Sequence, residues 1–145
     1  MYHADLDKYS YFRPKIPEGF AIGWLDKEHS YNQGEVPSNF LDRLWNFCYD
    51  PPVFFLGFHE CPFCDNPPFG LPASHNGQEI TLGSGDMWVF GNNGRYYVAP
   101  NLIYHYVAAH HYCPPEEFIE AVMHSPLPGS DEYKKYLVDC GLEYT

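Results

Sequence analysis

The sequence is poor in basic residues: 8 lysines and arginines stand against 19 aspartates and glutamates in 145 residues, a formal net charge of −11 at pH 7. Because neutralisation of phosphates by Lys and Arg dominates affinity for nucleic acids, this balance argues against nucleic acid and against anionic membrane surfaces as partners. Such a charge suits a basic protein as partner, since opposite charges promote association, but in most acidic cytoplasmic proteins it serves only solubility. The composition gives no indication of the oligomeric state.

Long apolar runs are missing as well. No uninterrupted apolar run approaches the roughly 18 residues needed to span a bilayer. The opening MYHADLDKYS does not show the basic and then apolar order of a secretory signal. We therefore expect a cytoplasmic protein. In that compartment an odd number of cysteines, five, predicts metal ligands or buried free thiols in preference to a disulfide framework.

The strand signals predict a small antiparallel sheet. We expect an extended N-terminal arm over 1–20, a strand over 21–25, a buried strand over 53–58 and an irregular loop over 65–77. Three further short strands, separated by turns rich in Gly and Asn, read as a β-meander; they are predicted at 78–82, 87–90 and 95–99.

The helix signals predict three to four helices packed on that sheet. Apolar residues at helical spacing, with capping residues and prolines at the ends, predict helices over 38–50, 101–111, from 115 and from 130. The last of these is a C-terminal helix appended within 126–145. The sequence therefore predicts one α+β domain over 1–145, stabilised by the zinc ion that the cysteine and histidine pattern below indicates.

The most specific local pattern is His59-x-Cys61-x-x-Cys64. Two thiolates three positions apart, around a turn that contains Pro62, can point both sulfurs at one ion, and the preceding histidine adds an imidazole. Zinc is the ion most typical of mixed Cys and His ligands in tetrahedral geometry. We therefore predict one structural zinc ion with His59, Cys61 and Cys64 as three of its four ligands.

The fourth ligand is expected among the histidines of the second predicted helix. His105 and His110 differ by about 140° around a straight helix, so only one of them should face the ion. Helical periodicity places His110 on the same side as the apolar Ile103 and Val107, which slightly favours His110 as the residue that faces inward.

Four stretches of the sequence together resemble a family of small bacterial proteins known only as a domain of unknown function. These stretches are GWLD (23–26), GFHECPFC (57–64), YVAPNLIYHY (97–106) and HHYCPPEEF (110–118). The resemblance runs over most of residues 1–124, leaves the tail after Pro126 outside, and implies no established activity. The stretch around His105 makes this residue the preferred fourth ligand over His110.

Two classes of function fit such a site. The first is a non-catalytic, zinc-stabilised module that binds protein, such as an adaptor or a neutraliser of a basic toxin. The alternative is a zinc-dependent hydrolase with Glu60 or Asp65 as general base, or a thiol-redox enzyme that uses the CPFC motif.

The first class is the one we expect. Four protein ligands close the coordination shell of zinc and leave no position for water. Redox cysteines depend on a helix N-terminus to lower the thiol pKa, but DNPPFGLP follows the motif and cannot continue a helix. The sequence contains neither a P-loop nor a G-x-S-x-G elbow.

Overall fold

The computed structural model describes residues 2–9, 18–65, 70–91 and 95–141. The strands in these ranges are β1 (Lys8–Tyr9), β2 (Gly19–Ala21), β3 (Val53–Phe54), β4 (Leu71–His75), β5 (Gln78–Leu82), β6 (Gly85–Phe90) and β7 (Tyr96–Pro100). The helices are α1 (Phe40–Tyr49), α2 (Ile103–His110), α3 (Glu116–His124) and α4 (Asp131–Asp139). This architecture confirms the predicted α+β fold class.

The strands form two sheets. The larger sheet has five strands in the order β1-β2-β7-β6-β3, and all neighbours are antiparallel except β2 and β7, which run parallel. β4 and β5 form a separate antiparallel hairpin with Leu71 opposite Leu82. The three strands predicted for the meander are therefore present, but β5 pairs with β4 while β6 pairs with β7.

The prediction of a buried strand over 53–58 is wrong. The strand ends at Phe54, and the side chain of Leu56 is fully exposed. The physical reason is the position of β3 at the edge of the larger sheet, followed by Gly57, whose φ of +86° turns the chain. An apolar run of this length resembles a buried strand in sequence, because the sequence does not show which strands lie at an edge.

Two other boundaries differ from the prediction. The predicted loop over 65–77 contains β4; Pro72 reads as a breaker, but a strand of a two-stranded hairpin has one unpaired side that tolerates proline. The strand predicted over 21–25 ends at Ala21, because Gly23 has a φ of +76°. Of the predicted N-terminal arm, residues 1 and 10–17 lie outside the described residues, and the remainder includes β1 and the start of β2.

The core is centred on β6 and β7, in which every residue is buried. Helix α1 packs on β6 and contacts both α2 and α3. Helix α4 also joins this core, because Tyr133 is fully buried and its hydroxyl donates a hydrogen bond of 2.6 Å to the carbonyl of Trp88. Burial of side chains of this size stabilises a fold by about 1.5–3 kcal/mol each. Over the described ranges, no helix is both long and apolar enough to cross a membrane.

Candidate metal centre

Helix α2 and the loop after β3 bring two cysteines and two histidines together. The Sγ atoms of Cys61 and Cys64 and a ring nitrogen each of His105 and His110 all lie within 4.8 Å of one another. Cys61 is buried and the other three side chains are half-buried. These four residues, the Cys2His2 group, can hold a metal ion.

Four separations within the Cys2His2 group are close to those around a tetrahedral ion. His110 Nε2 lies 3.4 Å from Cys61 Sγ and 3.6 Å from Cys64 Sγ, and His105 Nε2 lies 3.2 Å from Cys64 Sγ. The two Nε2 atoms are 3.2 Å apart. A tetrahedron with Zn–S of about 2.3 Å and Zn–N of about 2.0–2.1 Å has ligand-to-ligand distances of about 3.3–3.8 Å. The four ligand atoms therefore lie close enough together to bind one ion.

The loop that carries the cysteines is supported by the turn between β5 and β6. The backbone N–H of His59 donates to the carbonyl of Gly83 (2.8 Å), and the N–H of Gly83 donates to Oδ1 of Asn101 (2.8 Å). Gly83 has a φ of +113°, and a Cβ on it would lie 2.6 Å from the carbonyl oxygen of His59, so this approach requires glycine. Asn101 is fully buried just before α2. Asn101 therefore links the turn at Gly83, which supports the cysteine loop, to α2, the helix that carries the histidines.

Phe63 packs the turn between the two cysteines against α2. Its ring centroid lies 5.4 Å from that of His110, 5.9 Å from that of Tyr106 and 5.1 Å from that of Tyr31. The hydroxyl of Tyr31 in turn donates a hydrogen bond of 3.0 Å to the carbonyl of His110. These aromatic contacts position the imidazole of His110 beside the cysteines.

Both histidines of α2 belong to the group, contrary to the expectation that a helix would admit only one of them. The separation of about 140° applies to the directions in which the side chains leave the helix axis. The Nε2 atoms lie at the tips of the rings, and the rings of His105 and His110 converge at 78° with centroids 4.9 Å apart. His110 is also the last residue of α2, and the next residue, His111, has a left-handed φ of 56°.

Burial shifts the pKa of two groups in the centre. Burial raises the pKa of the Cys61 thiol to about 11, and burial together with the neighbouring His110 lowers the pKa of His105. The shift of His105 favours the neutral imidazole, which is the form that binds a metal. The shift of Cys61 is opposite to the activation that a redox cysteine requires, whereas a coordinated divalent ion removes the proton of a thiol outright.

The structure brings together three of the four ligands predicted from the sequence, Cys61, Cys64 and His105. His59 is not among them, because its backbone is held against Gly83 while its side chain is exposed. His110, which periodicity had favoured as an inward-facing residue, completes the group. The positioning role of Asn101 was not anticipated, and an asparagine after a proline at a helix start carries no signal in sequence that separates it from an ordinary capping residue.

The comparisons with known proteins identify a family. Neither a search of the curated proteins nor a search of the solved structures returned a match. The family model described as "Domain of unknown function (DUF7919)" matches residues 1–123, a range that contains the whole Cys2His2 group and excludes α4. Because this match covers most of the sequence, the chain belongs to the DUF7919 family.

Proposed function

We propose that this chain is a non-catalytic module that holds one structural zinc ion through the Cys2His2 group and binds a basic protein. The observation that carries the proposal is that four protein ligand atoms lie within 4.8 Å of one another, the number that fills the usual coordination shell of zinc. Two thiolates balance the charge of a divalent ion, so the half-buried centre carries no net charge.

The role of the ion is to cross-link the loop after β3 to α2. Cys61 and Cys64 come from this loop, and both histidines come from a helix 41 to 49 positions later in the chain. In such sites the free energy of metal binding adds to the stability of the folded state. Zinc therefore stabilises a segment that has little regular secondary structure of its own.

The acidic charge supports a basic protein as the partner. A net charge of −11 attracts a cationic surface and repels nucleic acid and anionic lipid. Neutralisation of a basic toxin and an adaptor role both fit this chemistry. Most of the apolar side chains are buried in the core, but Phe54, Phe55 and Leu56 are exposed in the segment that precedes the two cysteines, which fits an interaction surface.

The enzyme alternative has less support. Glu60 and Asp65, the two acids considered as general bases, are exposed, and neither belongs to the Cys2His2 group. A thiol-redox enzyme would need an acidic cysteine, but burial raises the pKa of Cys61 to about 11.

The test of the metal centre compares two cysteines. Protein purified without added metal should contain about one zinc ion per chain, and Cys64→Ala should contain none. Cys113→Ala is the matched control, because Cys113 is also half-buried and free but lies outside the group. Equal zinc content in the two variants would contradict the proposed ligand set.

Two further measurements test whether the ion is structural. A strong chelator should lower the melting temperature of the wild-type protein and leave that of Cys64→Ala unchanged. Cobalt substituted for zinc should give the visible spectrum of a tetrahedral ion, and added imidazole should not change it, because four protein ligands leave no open position. A spectrum that responds to imidazole would indicate an open position and support the hydrolase alternative.

A further inference from the structure

Three consecutive large apolar side chains are exposed shortly before the loop that carries Cys61 and Cys64, here called the metal loop. The exposed fractions are 63% for Phe54, 45% for Phe55 and 104% for Leu56. Single exposed apolar residues are ordinary, but a contiguous group on a soluble protein marks an interaction site. We call these three residues the β3 patch.

The β3 patch lies on an edge strand. β3 is the last strand in the order of the larger sheet and pairs with β6, with Phe54 opposite Gly85. The pairing extends past the strand, because the N–H of Phe55 donates a hydrogen bond of 2.7 Å to the carbonyl of Ser84. Within the described parts of the chain, no strand pairs with the other side of β3. Such an edge can accept an extended segment of another chain.

The stretch of chain around the patch is acidic. Between Arg43 and Arg95 the sequence contains no lysine or arginine. The acids in this stretch are Asp50, Glu60, Asp65, Glu79 and Asp86, and all except Asp86 are at least partly exposed. A second copy of this chain would bring another net charge of −11 to the same place, whereas a cationic segment would be attracted.

We propose that the β3 patch binds an extended segment of a partner protein in which apolar side chains alternate with lysine or arginine. This inference rests on the proposed function, since it names the surface and the chemistry of the basic partner. In an extended segment alternate side chains point to opposite faces, so apolar side chains can contact Phe54 and Leu56 while the cations on the other face are attracted by the net charge of −11. Leu56 is the central contact, because it has the most apolar area to bury.

The test uses a fluorescent peptide of alternating leucine and lysine as the probe, with binding to the zinc-loaded protein followed by anisotropy. Leu56→Ser should weaken binding about tenfold or more. Val138→Ser is the matched control, because Val138 is 58% exposed on α4 and the substitution also replaces an exposed aliphatic side chain with serine. It should leave the affinity unchanged. The same peptide with glutamate in place of lysine should not bind.

Leu56→Ser should keep the melting temperature and zinc content of the wild type, because the side chain it removes is fully exposed. Equal affinity of Leu56→Ser and the wild type for the lysine peptide would overturn the inference, as would an equal loss in Val138→Ser. A dimer detected by sedimentation that Leu56→Ser abolishes would assign the patch to a second copy and also overturn it. A protein that contains no zinc contradicts the proposed metal centre. A zinc-loaded protein that binds the lysine peptide equally well with and without the Leu56 side chain contradicts only the proposed patch.

Discussion

The Nε2 atoms of His105 and His110 lie 3.2 Å apart, although the two residues are five positions apart on one helix. This convergence predicts that both are metal ligands. His105→Ala and His110→Ala should each lower zinc affinity by more than the roughly 10–100-fold that loss of an outer-shell partner costs, as measured by competition with a chelator.

His59→Ala is the control for these two variants. The side chain of His59 is exposed and lies outside the Cys2His2 group, so this variant should retain zinc. If His59→Ala lost zinc and His110→Ala kept it, the ligand set predicted from the sequence, with His59, would be the right one.

The contact between Gly83 and His59 predicts that a single methyl group disturbs the metal loop. Gly83→Ala would place its Cβ 2.6 Å from the carbonyl oxygen of His59, whereas a Cβ on Gly77 would meet nothing within 4 Å. Both glycines have positive φ, so Gly77→Ala should cost about 1–2 kcal/mol from backbone strain alone. Gly83→Ala should lower the free energy of unfolding further and weaken zinc binding. Equal effects of the two substitutions, measured by urea unfolding and chelator competition, would show that the approach to His59 is unimportant.

Arg43 links α1 to the end of α3. Its Nε donates to the carbonyl of Val122 at 2.9 Å and its Nη2 donates to the carbonyl of Ser125 at 2.7 Å. Because these hydrogen bonds join a cation to the negative end of a helix, Arg43→Met should lower the free energy of unfolding by about 2–3 kcal/mol.

Two further variants separate the causes of that loss. Arg43→Lys keeps the charge without the fork of donors and should fall between Arg43→Met and the wild type. Lys135→Met, on an exposed position of α4, should change the free energy of unfolding by less than about 0.5 kcal/mol. A loss in Arg43→Met no larger than in Lys135→Met would rule out this linking role.

Buried tyrosines predict a loss of stability at alkaline pH. Burial, and then the carboxylate of Asp5 that accepts a hydrogen bond of 2.8 Å from its hydroxyl, raise the pKa of Tyr112 well above its usual value. Below pH about 10 the phenol is protonated in both the folded and unfolded chain. Above that pH the unfolded phenol ionises and the buried one does not, so the free energy of unfolding falls as pH rises.

The measurement is urea unfolding at a series of pH values from about 8 to 11. Tyr112→Phe should be less stable than the wild type at neutral pH, because Asp5 loses its hydrogen bond, but its stability should fall less steeply above pH about 10. The same slope in Tyr112→Phe and the wild type would assign the alkaline loss to other groups. Burial also raises the pKa values of Tyr9, Tyr96 and Tyr106, and these groups contribute to the part of the slope that remains in the variant.

Features that depend on neighbouring residues were predictable from the sequence. The predicted last helix begins as expected, with the hydroxyl of Ser130 accepting a hydrogen bond from the N–H of Tyr133, and Gly141 has the positive φ expected after a helix end. That Cys61 and Cys64 belong to one ligand group also follows from local spacing, because two thiols three positions apart around a turn can face the same ion. The hairpin of β4 with β5 is also local and closes through Asn76 and Gly77, both with positive φ. It escapes prediction because Pro72 reads as a strand breaker.

The sequence by itself determined the acidic charge, the positions of the helices and the cysteine pair, since each of these is set by composition or by residues within a few positions of one another. The tertiary structure decided that His110, rather than His59, stands beside Cys61 and Cys64, and that the apolar run at β3 lies at a sheet edge. In both cases the outcome depends on contacts between residues that are far apart in the chain. His110 lies beside Cys61, 49 positions away, where Phe63 packs against His110 and Asn101 supports the turn at Gly83, and the exposure of β3 depends on which strands pair with β6.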